Sequence, residues 1–333
     1  MDVTVTERTL RFRWPVRTAF GELRERTIVE LAVDGGHGEA APLEPYDGVA
    51  LRDVRDALDA YVPVLSRADE IGGSRVLDGC RAIADLPQAL AAVDLALWDR
   101  AGRREGKPVA RLLTDRPAGS VPVNATIAEE DRAGAAAAAA EAAREGYGCV
   151  KLKVGIGDDA GRVAAVRAAA GPTVDLRLDA NGAWSVEQAI VTIEALAPAG
   201  LELVEEPVHG IHDLRAVRRA VPVRIAMDET AAEPGALMAA AADAVCLKLS
   251  RCGGISGLLA AAELVRATGA EPYVASSFDG PAGIAGAVHA AAALSPLPAC
   301  GLATLQLFEE DEAGALRVVE GAIPVPTGPG LGV

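Results

Sequence analysis

The sequence predicts an α/β protein: an eight-stranded barrel of the TIM type, preceded by an α+β region. Three observations carry that expectation. At 333 residues the chain is about twice the usual single-domain size, so it has room for a large barrel with an extra module. From residue 121 onward, short apolar runs alternate with Ala-rich stretches of helical spacing, as strands of a parallel sheet alternate with the helices that cover it. Acids and lysines then recur where the apolar runs end, and in a closed barrel those ends meet on one rim.

The N-terminal third differs in texture. Residues 3–14 and 27–33 alternate polar and apolar side chains, and the turn signal Asp34-Gly35-Gly36 follows, so this part reads as an antiparallel sheet. Residues 52–65 and 87–101 have helical spacing, and residues 114–120, with Pro117 and Gly119, read as a linker. Eight candidate strands follow, at 121–127, 149–154, 174–181, 201–207, 223–229, 244–250, 271–277 and 299–304, with seven intervening segments long enough for a helix. An open doubly wound sheet is the alternative, but no G-x-G-x-x-G follows the first of these strands. The Ala-rich stretch 133–143 is punctuated by Glu141 and reads as the first barrel helix, since alanine is the strongest helix former.

Composition removes several function classes. Hydrophobic residues make up 50% of the chain and aromatics only 3%, so the core is aliphatic and broad aromatic binding surfaces are not expected. With 32 Lys+Arg against 47 Asp+Glu the formal charge is -15, which repels phosphate backbones and anionic lipid and disfavours nucleic-acid and membrane partners. The first twenty residues carry scattered charges rather than a charged-then-apolar leader, so no secretory signal is expected. Residues 281–308 lack Asp, Glu, Lys and Arg, yet Pro296 and Pro298 interrupt them. They read as a buried helix followed by a buried strand rather than a membrane span. Five cysteines without a C-x-x-C pair fit a reduced, cytoplasmic protein.

The strand ends read Lys151-Leu152-Lys153, Asp179-Ala180-Asn181, Glu205-Glu206-Pro207, Asp228-Glu229 and Lys248. Asp179, Glu205 and Asp228 are spaced 26 and 23 residues apart, one strand-plus-helix unit each, so they converge at the rim. Three ionised carboxylates at one place require a cation, and an oxygen-only set suits a hard divalent ion such as Mg²⁺. Lys151 and Lys153 share the inward side of their strand, and Lys248 arrives from across the mouth. Inward lysines near one another are expected to depress each other's pKa and so supply a neutral amine as base. Metal carboxylates flanked by lysines suit removal of a proton next to a carboxylate. By strand alternation Cys149 and Cys246 should lie buried below the site, and Arg177 should point inward and pair with a carboxylate. His37, His209, His212 and His289 lack metal spacing and read as structural.

The order K-x-K, D-x-N, E-E-P, D-E and Lys248-Leu249-Ser250-Arg251-Cys252-Gly253-Gly254 resembles the enolase superfamily, in its muconate-lactonizing-enzyme subgroup. The likeness extends to residues 38–42 and to the closing 326–332. It implies a modified TIM-type (β/α)7β barrel, at 118–308, with an α+β capping domain at 1–117 to which a tail at 309–333 returns. It also implies Mg²⁺, or Mn²⁺ as a substitute, on Asp179, Glu205 and Asp228. Lys153 and Lys248 would be the acid/base pair, Lys151 a lysine that tunes its neighbour, and the substrate a small carboxylate; a homo-oligomer is admissible. The cap loops at 18–24 and 45–48 would close over the mouth. Residues 276–279 and 299–311 resemble o-succinylbenzoate synthases of the menaquinone pathway, which are lyases. No acid lies in 301–308, where dipeptide epimerases carry an Asp-x-Asp pair. Leu249-Ser250-Arg251 is closer to racemase-like members and keeps a dipeptide epimerase or N-acylamino-acid racemase as the alternative; a non-catalytic barrel would have no reason to bury so many charges.

Overall fold

A computed structural model describes residues 1–18 and 20–333. Ala19, in the expected cap loop at 18–24, lies outside the described residues. The chain opens with β1 (Val3–Thr18), β2 (Gly21–Val33) and β3 (Gly36–Ala40), an antiparallel sheet in that order. Asp34 and Gly35 both take positive φ, 48° and 81°, the backbone a two-residue hairpin turn demands. Helices Leu51–Leu65 and Pro87–Glu105 cover the sheet. The second begins with proline in its first turn and ends at left-handed Gly106, the usual asymmetry of helix ends. Gly36 and Gly38 let this helix lie directly on β3, because a Cβ at either would sit 2.2 or 2.0 Å from the carbonyl oxygen of Ala96 or Ala92.

After β4 (Ser120–Pro122), seven parallel strands form one curled sheet: β5 (Ala125–Ile127), β6 (Cys149–Lys153), β7 (Asp175–Asp179), β8 (Leu201–Glu205), β9 (Arg224–Met227), β10 (Ala244–Lys248) and β11 (Glu271–Ala275). Single bridges Ala275↔Gly301 and Val123↔Cys300 close it. This is the expected (β/α)7β barrel with three local differences. The eighth strand is reduced to those bridges, since Pro296 and Pro298 lead into it and remove ladder donors. The expected strand 121–127 is split: β4 turns outward to pair with β12 (Ala322–Pro324) near the C-terminus, and only β5 stays in the barrel. Between β9 and β10 there is no α-helix, only the 3₁₀ turns Glu229–Ala232 and Ala236–Met238, as Pro234-Gly235 breaks a segment that is already short.

Three of the barrel helices carry their start signals in sequence. Asp131 and Asp158 cap helices Arg132–Arg144 and Asp159–Ala170, and Ser185 with Gln188 forms a capping box on Val186–Leu196. Helix Pro281–Leu294 is buried almost throughout, and among the described residues no helix is long and apolar enough to cross a membrane. Its N-terminus meets the antiparallel region: Glu39 accepts from the amides of Gly280 (2.6 Å) and Ala282 (3.0 Å). The C-terminal tail reaches the same region, where the Leu331 amide donates to Asp99 (2.7 Å).

Candidate active site

Register lines up the charged strand ends. Lys153 pairs with Asp179, and Asp179 with Glu205; Asp228 directly follows β9, and Lys248 ends β10. Lys248 thus reaches the mouth four strands away from Lys153. Below this layer a small interior cluster of Leu203, Ala226, Ala244, Cys246, Tyr273 and Ala275 fills the barrel.

The three carboxylates are buried, and each touches a lysine. Lys151 Nζ donates to Glu205 Oε1 (2.8 Å) and lies 2.9 Å from Asp179 Oδ2. Lys153 Nζ donates to the same Asp179 oxygen (2.7 Å) and to Asn181 Oδ1 (2.8 Å). Lys248 Nζ donates to Asp228 Oδ2 (2.7 Å). Asn181 and Glu206 adopt positive φ, 44° and 39°, unusual for residues other than glycine. Glu206 is fastened there by the Asp228 amide (2.8 Å), the Thr230 amide (3.0 Å) and hydroxyl, and His209 Nδ1 (3.0 Å).

These contacts decide the ionisation. Burial works against the Asp179 carboxylate, but Lys151 and Lys153 outweigh it and hold its carboxyl well below the usual range. For Glu205 burial prevails over Lys151 and, with Asp179 and Asp228 nearby, holds it above that range. Burial works equally against charged Lys151 and Lys248, yet the facing carboxylates keep both pKa values well above the ordinary lysine value. The expectation of mutual depression is therefore corrected for Lys151 and Lys248: each amine contacts carboxylates directly, Lys151 at 2.8 and 2.9 Å and Lys248 at 2.7 Å, and that attraction prevails.

Donor oxygens of Glu205 and Asp228 come within 4.8 Å of one another and of Cys246 Sγ. Burial, with Asp228 close by, pushes that thiol well above its ordinary pKa, so it is a neutral neighbour and the ionised donors are oxygens. Asp179 stands beside this pair, across Lys151. Such a set fits a hard divalent cation better than zinc. Cys149 and Cys246 are buried and all five cysteines are free. Arg177 points inward and pairs with Glu202 (2.6 Å), as strand parity predicts.

Three contributors lie outside the pattern of strand ends. Tyr46, on the short cap helix Glu44–Asp47, donates to Asp228 Oδ1 (2.8 Å) and accepts from Lys248 and from Arg251 Nη1 (2.6 Å). Only tertiary packing brings it there. Tyr273 donates to Glu205 Oε2 (2.7 Å); its pairing with Cys246 is accessible from inward parity. His209 sits on the rim against Glu206 rather than apart from the site, while His289 is buried between the Ala110 amide and the Leu331 carbonyl. A groove of about 640 Å³ lined by Arg215, Arg218, Arg219 and Arg224 opens beside the N-terminal end of β9, away from the carboxylates.

Fold and site together define a capped barrel enzyme whose rim gathers carboxylates and lysines. The chain belongs to the enolase superfamily: the Enolase C-terminal domain-like family matches residues 134–333, and the Mandelate racemase / muconate lactonizing enzyme N-terminal domain matches residues 1–114. An o-succinylbenzoate synthase of Thermobifida fusca is 40% identical over 62% of this chain and 67% of its own length. The L-Ala-D/L-Glu epimerase of Bacillus subtilis is 30% identical over 98% of this chain and 93% of its own. Among solved structures, a dipeptide epimerase from Enterococcus faecalis complexed with Mg and L-Leu-L-Tyr superimposes with a TM-score of 0.89 at 26% identity, covering 99% of this chain and 98% of that one.

Proposed function

We propose that the protein is an o-succinylbenzoate synthase, a Mg²⁺-dependent lyase that dehydrates 2-succinyl-6-hydroxy-2,4-cyclohexadiene-1-carboxylate. The geometry beneath this reading is the arrival of Lys153 and Lys248 from separate strands beside buried carboxylates; the 40% identity to a synthase supports the particular reaction. Asp179, Glu205 and Asp228 would hold the Mg²⁺, with Mn²⁺ as a substitute. When bound, the ion would supply positive charge that stabilises the substrate carboxylate. Lys153 removes that proton and returns it to the departing hydroxyl, so that water leaves on the same face. Lys248 supplies positive charge opposite, and Lys151 holds Asp179 and Glu205 together. Residues 1–117 would form the cap, joined by the tail 309–333, and 118–308 the barrel, in a cytoplasmic enzyme.

The alternative is a dipeptide epimerase or N-acylamino-acid racemase, favoured by the 30% identity to an L-Ala-D/L-Glu epimerase over 98% of this chain. In that reaction the two lysines act as opposed bases. Incubation of the protein and Mg²⁺ with the cyclohexadiene substrate, and separately with L-Ala-D/L-Glu and N-succinylamino acids, distinguishes the two. For the synthase, Lys153→Ala in ²H₂O loses all α-proton exchange, whereas Lys248→Ala keeps exchange and loses net dehydration. Inversion of an amino-acid derivative by the wild type, with inversion stopped by either lysine substitution alone, would overturn the lyase assignment.

A further inference from the structure

We propose that Tyr273 is a positioning residue that leaves Glu205 a single oxygen for the metal and so selects a small hard cation over a larger one. The inference rests on the metal reading above. Glu205 is fully buried and its two oxygens have different partners: Oε2 accepts from the Tyr273 hydroxyl at 2.7 Å, and Oε1 faces Lys151 at 2.8 Å. The phenol has little freedom to release its bond. Its ring is buried in the barrel interior and lies under the Arg177 guanidinium, 5.1 Å from the ring centroid. Arg177 is itself clamped by both oxygens of Glu202 (2.6 and 3.0 Å) and by the Ala299 carbonyl (2.6 Å). A line of fixed contacts therefore runs from Glu202 near the bottom of the barrel to one oxygen of the carboxylate at the top.

A carboxylate held in this way binds a cation through its other oxygen. To bind through both, it must give up a hydrogen bond in a buried site, leaving a phenol without a partner. Ca²⁺ accepts six to eight oxygens and readily takes bidentate carboxylates, whereas Mg²⁺ demands a compact octahedron of single oxygens. The tyrosine thus acts against the larger ion. Outer-shell partners of metal ligands commonly alter affinity by about 10- to 100-fold, which sets the size of the expected effect.

The test is calorimetric titration of the whole chain with Mg²⁺ and with Ca²⁺ for the wild type, Tyr273→Phe and Tyr61→Phe. Tyr61, whose hydroxyl bonds to the Ala84 carbonyl in the cap, controls for loss of a buried phenol. Tyr273→Phe should bind Mg²⁺ about tenfold more weakly while Ca²⁺ binding is kept or improved, so that the preference for Mg²⁺ collapses; Tyr61→Phe should keep the wild-type ratio. An unchanged ratio in Tyr273→Phe, or an equal loss for both ions, would show a merely structural tyrosine and overturn the proposal. A wild type that binds neither ion overturns the metal reading and this inference with it. Should Tyr273→Phe not fold, a crystal structure of the wild type with Mg²⁺ decides: Glu205 bound through one oxygen, with the other on Tyr273, upholds the role, and a bidentate Glu205 refutes it.

Discussion

At the barrel mouth Asp179, Glu205 and Asp228 are each touched by a lysine. At the seam between the antiparallel region and the barrel, Glu39 and Asp279 lie beside one another against Gly283, and Arg26 spends its hydrogen bonds on the carbonyls of Ala41, Pro42 and Ser277. Both clusters are buried, but their electrostatics differ. In the mouth, Asp179 and Asp228 are held below the carboxylate range by lysines that outweigh burial. At the seam, burial and Asp279 together push Glu39 up to about 8, against the amides of Gly283, Gly280 and Ala282. One Asp279 oxygen and the Ser277 hydroxyl have no partner among the described residues. The mouth keeps Asp179 and Asp228 charged, while the seam uses a carboxyl group to satisfy a helix N-terminus and carries an ionisation penalty for it.

Substitution in the mouth should have the largest effect. Asp179→Asn is expected to lower turnover by about a thousandfold or more while the fold stays intact, as circular dichroism would show. Near-normal turnover without a divalent ion would contradict the metal reading.

The seam should show itself in stability against pH. Glu39 has a folded pKa near 8 against an ordinary value of 4.5, so between those values the native state keeps a proton that the unfolded chain has lost. Its contribution is fully present below about pH 4.5 and is lost as pH rises to about 8, on the order of 4 kcal/mol by linkage. Burial raises Asp279 as well, against Arg26, and this adds a slope of the same sign. Urea unfolding from pH 5 to 8 with metal chelated should therefore show falling stability, and Glu39→Gln should flatten much of the fall. An equally steep profile in the variant would assign the slope elsewhere.

The smallest effect should come from Ser185→Ala, remote from both clusters. It removes the side-chain half of a capping box and should cost about 1 kcal/mol without altering turnover or the pH profile. A change in metal affinity there would mean that the mouth is less insulated from its helices than the two clusters suggest.

Most of the mouth is legible in the amino-acid order because strand ends can be counted. Asp179, Glu205 and Asp228 recur at one-unit intervals, and parity places Arg177, Cys149 and Cys246 inside. Tyr273 obeys the same rule, but its polar end meets Glu205 only after β8 and β11 have curled toward one another. The charge states are not legible in that way. Two lysines on one strand suggest mutual depression of pKa, whereas their actual neighbours are acids from other strands.

Local periodicity and spacing are enough for most of the strand order, the inward side of Arg177, Cys149 and Cys246, and the row of acids and lysines at the rim. Contacts made across hundreds of residues arise only on packing. Tyr46 sits on Asp228, Glu39 caps helix Pro281–Leu294, and the bridges Ala275↔Gly301 and Val123↔Cys300 close the barrel. The physical reason is that spacing specifies direction along an element, whereas distance between elements, and with it the balance of burial against charge, exists only once they pack.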